Sequence, residues 1–204
     1  MKLIIEYIIE LEWKFMDRVK NIGGRVDCQD DWRTFYIMRK SQLRGWSFEV
    51  LDSYHDDLQE AREAGRNPMT EKYGYMMAKT DPSVYATIEP YLPKLTPEKQ
   101  NLIDEICKIH LLWLEELAQG YPTLIKRGRS IYSTQDSIQQ TSFETYLRGE
   151  LSTYSIKTLL LYKDYIDTLN SRGENLNKNI LAEEVKQYGF QSLSEAERKL
   201  PRKS

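Results

Sequence analysis

The sequence predicts an all-α chain: a compact bundle of about seven or eight helices with a polar, charged central pocket. Three observations predict it. Apolar residues recur at helical spacing along most of the 204 residues. Strand signals are weak, since no Asn-Gly or Asp-Gly turn separates alternating apolar runs. Helix punctuation is abundant: Asn67-Pro68, Asp81-Pro82 and Thr96-Pro97 each set a good N-cap before a proline at the first helical position.

Taken in order, the periodicity places helices at roughly 3–21, 30–45, 47–64, 68–79, 82–90, 97–119, 142–171 and 177–188. Gly23-Gly24, Gly65, Gly120 and Gly173 stand where the periodicity ends. The segment 121–141 reads as an irregular loop, with Lys126, Arg127 and Arg129 beside glycine and hydroxyl residues. The basic tail, 198–204, is expected to fray. No repeat or low-complexity tract divides the chain, so residues 1–204 are expected to form one domain.

Composition narrows the function classes. Hydrophobic residues make up 40% and charged residues 29%, the balance of a globular chain rather than a disordered one. The net charge of -2 gives no general attraction to nucleic acid or anionic membrane. The two cysteines, Cys28 and Cys107, make no disulfide framework and read as buried free thiols in a reducing compartment. The apolar N-terminus is interrupted by Glu6, Glu10 and Glu12 and has no signal-peptide core. No stretch approaches the roughly 18 apolar residues of a membrane helix. The expectation is a cytoplasmic protein with no nucleic-acid or membrane partner.

The informative residues are charges on apolar stripes. A helix advances about 100° per residue. In the first helix Ile5, Ile8, Ile9, Met16 and Val19 share one arc, and Glu12 falls near its middle. The second helix has the stripe Trp32, Phe35, Tyr36, Leu43 and Trp46, with Arg39 near its centre. The long helix has Phe143, Leu147, Tyr154, Thr158, Leu161 and Tyr165. Glu150 lies within one flank of that stripe and Glu144 borders the other. Gly149, beside Glu150, permits close approach of a helix or a ligand.

Burying an unpaired carboxylate or guanidinium is expensive, so these groups need each other, a metal or a ligand. An Arg39 fork between Glu12 and Glu150 satisfies the charges. Three readings follow: an ion-pair network that sets helix register, a pocket whose two glutamates are driven apart into acid and base, or a carboxylate metal site. The metal reading has few ligands to draw on. Only two histidines are present, His55 and His110, and Asp52-x-x-His55 is the one spacing close to that of a di-iron bundle. No zinc set is available and no cofactor is predicted, although a magnesium ion needs only a few carboxylates. Cys28, near Arg25 and a helix start, is a weak nucleophile candidate because Asp30 and Asp31 oppose a lowered thiol pKa. No phosphate loop, dinucleotide fingerprint or Gly-x-Ser-x-Gly elbow is present.

Several strings carry a family resemblance. They are Glu12-Trp13-Lys14-Phe15-Met16, the run from Gly23 through Arg25, Gln29, Asp31 and Trp32 to Phe35, and Ile37-Met38-Arg39-Lys40-Ser41-Gln42. Gly65-Arg66-Asn67, Glu71-Lys72-Tyr73 and Met76-Met77 follow, then Thr141 to Leu151 and Thr153-Tyr154-Ser155. The chain resembles the bacterial domain of unknown function 4125 family from about residue 10 to about residue 195. That resemblance implies signature positions and no mechanism. They include Glu12, Arg39 and Glu150, and add Arg25, Gln29, Asp31, Asn67, Glu71, Lys72, Glu144, Tyr146 and Arg148. Glu71 and Lys72 sit beside the Met69/Tyr73/Met76 stripe and are expected to face a second surface, such as a cleft.

Three functions compete. The first is an enzyme acting on a small, polar, charged metabolite. In it Glu12, Glu150, Glu144 and Arg39 form the catalytic set. Arg25 and Arg148 hold anionic groups, while Gln29, Asp31, Asn67, Glu71, Lys72 and Tyr146 complete the substrate contacts. The second is a non-catalytic binding or sensor module for such a metabolite. The third is a structural or interaction protein in which the charges only set register and Trp13 and Trp46 form an interface.

Overall fold

The computed structural model describes residues 1–21 and 23–201. Among these residues the regular elements are all helical. They are α1 (Lys2–Asp17), α2 (Trp32–Arg44), α3 (Phe48–Glu63), α4 (Pro68–Thr80), α5 (Pro82–Ile88), α6 (Pro97–Gly120), α7 (Pro122–Arg127), α8 (Phe143–Leu151), α9 (Ile156–Ser171), α10 (Leu176–Gln187) and α11 (Leu193–Lys199). Single 3₁₀ turns cover Asp27–Gln29, Glu89–Tyr91 and Ser133–Gln135. No helix is long and apolar enough to cross a membrane among the described residues.

The helix starts follow from short polar side chains. Asp31, Ser47, Asn67, Asp81, Thr96, Ser142, Ser155, Asn175 and Ser192 each accept a hydrogen bond from a first-turn amide. The stops include a glycine closure: after α3, Gly65 takes φ +68°, and the Arg66 amide donates to the Ala61 carbonyl. Gly173 repeats this after α9.

Eleven helices are present among the described residues rather than seven or eight, and the differences have local causes. The helix expected over 142–171 is two, because Ser152, Thr153 and Ser155 take the backbone out of the ladder. The Ser152 and Thr153 hydroxyls donate to the carbonyls of Arg148 and Glu150. Ser155 caps α9, and its own amide donates to Asp57. Within the segment expected to be irregular, Pro122 starts the short helix α7, whose first amides donate to the Glu197 carboxylate. In the tail, Arg198 and Lys199 end α11, and residues 202–204 lie outside the described residues.

The main core joins α1, α2, α3, α6, α8 and α9 around Ile8, Ile9, Leu43, Leu51, Leu58, Ile106, Leu151, Leu159 and Ile166. A second, smaller core of Leu124, Val185, Leu193 and Ala196 lies between α7, α10 and α11. Val19, assigned to the first stripe, lies past the end of α1. Trp32 is exposed, with Phe35 and Tyr36 half-buried, because Trp32 and Phe35 pack on Trp13 and Tyr36 packs on Trp32 at the surface. Trp46 is buried against Tyr54, Tyr154 and Tyr162, so it cannot line an interface. Cys107 is buried as expected, but Cys28 is exposed.

α8 packs closely on α4 because Gly149 has no side chain. A Cβ there would stand 2.7 Å from Met76 Cγ and 2.9 Å from the Lys72 carbonyl oxygen. Gly149→Ala is expected to lower stability by about 2 kcal/mol, although helix propensity alone favours alanine by about 1 kcal/mol. The check is a lower urea midpoint at an unchanged slope.

Candidate functional site

Four helices deliver one charge each to the middle of the bundle. α1 supplies Glu12, α2 Arg39, α4 Lys72 and α8 Glu150. Glu12 is 0% exposed, Lys72 3%, Arg39 5% and Glu150 5%, so water does not solvate these ions. They solvate one another. The Arg39 guanidinium donates from Nε to Glu12 Oε2 at 2.7 Å and from Nη2 to Oε1 at 2.6 Å. Its Nη1 donates to Glu150 Oε1 at 2.8 Å and to Gln42 Oε1 at 2.7 Å. Lys72 Nζ donates to Glu150 Oε2 at 2.8 Å. Two carboxylates, one guanidinium and one ammonium cancel in formal charge.

Neutral donors complete the shell. Tyr54 donates to Glu12 Oε1 at 2.6 Å, Tyr154 to Glu150 Oε1 at 2.9 Å, and Gln42 Nε2 to the same oxygen at 3.1 Å. The Tyr54 and Tyr154 rings lie 4.6 Å apart, so the two halves also touch through their aromatic faces. On the far side Lys72 Nζ sits 3.6 Å from the centre of the Tyr146 ring, with the Arg129 guanidinium at 4.5 Å from the same centre.

Electrostatics lock the protonation states. Burial pushes the Glu150 carboxyl up, but Arg39 and Lys72 outweigh it and hold it well below the usual carboxylate range. Burial opposes the charges on Arg39 and Lys72, and the facing carboxylates more than restore them. Burial and the neighbouring carboxylates push the Tyr54 and Tyr154 phenols far up, so both stay donors. Each carboxylate oxygen of the pair already accepts at least one hydrogen bond from this chain.

The other sequence-assigned residues divide among separate structural roles. Glu144 and Arg148 form a half-buried pair on α8, and Arg148 also reaches Asp104 on α6. Burial pushes the Glu144 carboxyl up, but the Ser133 amide and Arg148 bring it below its ordinary value. Exposed Arg25 ties Asp17 to Asp30 and to the Gln29 carbonyl. Buried Gln29 closes the end of α1, donating to the Met16 and Val19 carbonyls and accepting from Asn21 and the Val26 amide. Asp31 and Asn67 are N-caps, and Asn67 also donates to the Phe15 carbonyl. Glu71 pairs with Arg66 at 2.6 Å. Glu71 and Lys72 are both buried rather than facing a cleft, because Lys72 turns inward to Glu150.

The structure therefore brings together Glu12, Arg39, Glu150, Lys72 and, through its ring, Tyr146. Sequence reasoning missed Tyr54, Tyr154 and Gln42 as partners. The one available signal was that buried tyrosine hydroxyls require an acceptor. A cavity of about 100 Å³ lies beside Met16, Asn21, Cys28, Gln29 and Tyr73, between the end of α1 and α4. Among the described residues no group of three or more His, Cys, Asp or Glu side chains is placed to hold a metal ion.

Removing one partner leaves a buried charge uncompensated. Lys72→Met is expected to cost about 3–5 kcal/mol, read from the urea midpoint. Glu150 also sets an acid limit. Its folded pKa is depressed, so its contribution is full above the unfolded carboxyl value of about 4.5 and is lost as pH falls below it. Stability measured at pH 4.5 and below should fall less steeply in Glu150→Gln than in the parent chain.

Comparison with curated proteins and with solved structures yields no significant match. A family model described as "Protein of unknown function (DUF4125)" matches residues 2–198, in line with the sequence resemblance. By that match over nearly its whole length, the chain belongs to the DUF4125 family.

Proposed function

We propose that this chain is a helical binding or interaction module in which the Glu12–Arg39–Glu150–Lys72 network sets the packing and does not itself perform acid–base chemistry. One observation carries this reading: every carboxylate oxygen of the pair is already occupied by a donor of the same chain. A general base needs a free oxygen within reach of a substrate proton, and a general acid needs a proton held near the working pH. Glu150 is held as an anion and both phenols are held neutral, so neither condition is favoured at the network. The cancelling charges are also what a register lock requires, since an imbalance would repel like charges in a dry interior.

A second reading is supported by the edge of the network. Tyr146 is half-buried and carries Lys72 and the exposed Arg129 on its ring. Arg129 also donates to the Thr141 carbonyl. A small polar metabolite bearing a carboxylate or phosphate would meet a guanidinium there, mounted on an aromatic face. Catalytic use of such a ligand would have to recruit groups outside the occupied carboxylates, such as Glu144 or Arg148.

Thermal denaturation separates the readings. Glu12→Gln removes a charge with little change of volume. It is expected to lower the melting temperature by about 10 °C, the equivalent of about 3–5 kcal/mol in a chain of this size. A Glu12→Gln protein that melts with the parent but no longer shows a stabilising shift from a polar metabolite would overturn the packing reading. For the second reading, a panel of small carboxylates and phosphates should raise the melting temperature of the parent and not of Arg129→Ala.

A further inference from the structure

Beside the charge network, one cation has hydrogen-bonding capacity that this chain does not use. Arg129 is exposed, and its guanidinium lies 4.5 Å from the centre of the Tyr146 ring. Its Nη1 donates to the Thr141 carbonyl at 3.1 Å. Among the described residues its Nε and Nη2 meet no acceptor, and no carboxylate pairs with it. Those two nitrogens form one edge of the guanidinium. Arg39 uses the same edge to hold both oxygens of Glu12, at 2.7 and 2.6 Å. Arg129 therefore presents outward the edge with which Arg39 grips a carboxylate inside the bundle. The charge count agrees. The four central ions cancel, which leaves Arg129 as an unmatched positive charge beside Tyr146.

Tyr73 connects this edge to the cavity at the end of α1. It follows Lys72, whose Nζ lies against the Tyr146 ring, and its own side chain lines the cavity with Met16, Val19, Val26 and Cys28. Arg129, Tyr146 and Cys28 all act electrostatically on the Tyr73 phenol, so the guanidinium and the thiol both lie near that one side chain. The walls offer little to a polar group. Gln29 spends its amide nitrogen on the Met16 and Val19 carbonyls, and its oxygen on Asn21 and the Val26 amide. The Tyr73 hydroxyl donates to Met16 Sδ at 3.7 Å, a weak acceptor, and burial pushes this phenol up so that it stays neutral. Cys28 is exposed, so the cavity is reached from solvent at that wall. An apolar cavity of about 150 Å³ admits the six carbons of benzene, so a volume of about 100 Å³ admits about four carbons.

Resting on the anion-binding reading of Arg129, we propose that this seam takes a straight-chain aliphatic monocarboxylate, with its carboxylate on the Nε–Nη2 edge of Arg129 and its alkyl end past Tyr73 in the Met16–Val26–Cys28 cavity. A carboxylate fits better than a phosphate ester, because one planar edge matches two coplanar oxygens and one unmatched cation matches one negative charge. An alkyl tail fits better than a polar one, because the amides of the wall are already paired and a polar tail would lose its water without gaining partners. The two ends select different parts of the ligand: Arg129 selects the head, and the cavity selects the length of the tail.

Cys28 is a reporter in the cavity wall, and Cys107 is buried and stays silent in the folded chain. The rate at which iodoacetamide alkylates Cys28 in the full chain is measured with acetate, butyrate, hexanoate and octanoate at matched ionic strength, beside the melting temperature. Longer carboxylates are expected to slow the alkylation and raise the melting temperature. The half-protecting concentration should fall about fourfold for each methylene the cavity takes up, and level off after about four carbons. Hexanol, which lacks the head, should protect far less, and Arg129→Ala should bring hexanoate down to the level of hexanol. Val26→Phe, at the exposed edge of the wall, should flatten the dependence on length. Melting shifts that need Arg129 but are equal at every length, with Cys28 alkylation unchanged, would leave the anion-binding reading standing and overturn the tail site. No shift and no protection by any of the four would overturn both. Protection that grows with length equally in Arg129→Ala would also overturn the proposal, since it would be apolar adsorption without a head site.

Discussion

The fold depends on one constraint: four ions placed out of reach of water must cancel and must be within hydrogen-bonding distance. Arg39 meets most of it. Its planar fork binds Glu12 through two nitrogens and Glu150 through the third, which links α1, α2 and α8 at a single group. Lys72 adds α4 through the remaining oxygen of Glu150. A small displacement of any of the four helices breaks a charge-assisted bond in a medium of low dielectric, where unpaired groups are costly. The network is therefore better understood as a set of distances that the helices must satisfy than as a source of net stability.

Other features serve those distances. Gly149 lets α8 approach α4 closely enough for Lys72 to reach Glu150. The stop at Ser152–Ser155 turns the chain so that Tyr154 can donate back to Glu150, four residues earlier. Gln29 and Arg25 close the end of α1 and fix the loop that leads into α2. Asp31 and Asn67 cap helices, and Glu71 pairs with Arg66. The imidazole of His110 follows the opposite rule. Burial holds it neutral, whereas Arg39 and Lys72 hold Glu150 ionised.

Much of this was legible from local pattern. Glu12 and Arg39 were identified as buried charges because their helices carry apolar residues on the same face, and each is indeed buried. The N-caps at Asn67, Asp81 and Thr96 were read from residue type and the following proline, and all three bond as expected. The run Ser152-Thr153-Tyr154-Ser155 could have marked the break between α8 and α9, since three hydroxyl residues in four compete for backbone groups. Continuous apolar periodicity across the break concealed it. Lys72 was misplaced for a related reason. A long side chain can turn its amine toward a charge that its own stripe does not reveal.

What the sequence by itself determined is the helical class, the helix starts and the helix face on which each of Glu12 and Arg39 lies. These follow from backbone period and from hydrogen bonds within a few residues. The Arg39 fork between Glu12 and Glu150 is what the pairing of buried charges calls for, and it forms. What only the tertiary structure decided is the rest of the partner set: Lys72 meets Glu150 from 78 residues away, and His110 meets an asparagine 67 residues away. Separations of that size carry no local signal. Tertiary packing also decided that each carboxylate oxygen accepts a hydrogen bond: three accept from Arg39 and the fourth, Glu150 Oε2, from Lys72, while Tyr54 and Tyr154 add further donors. A buried charge can be read from one helix, whereas its partners, and so its chemistry, depend on how several helices pack.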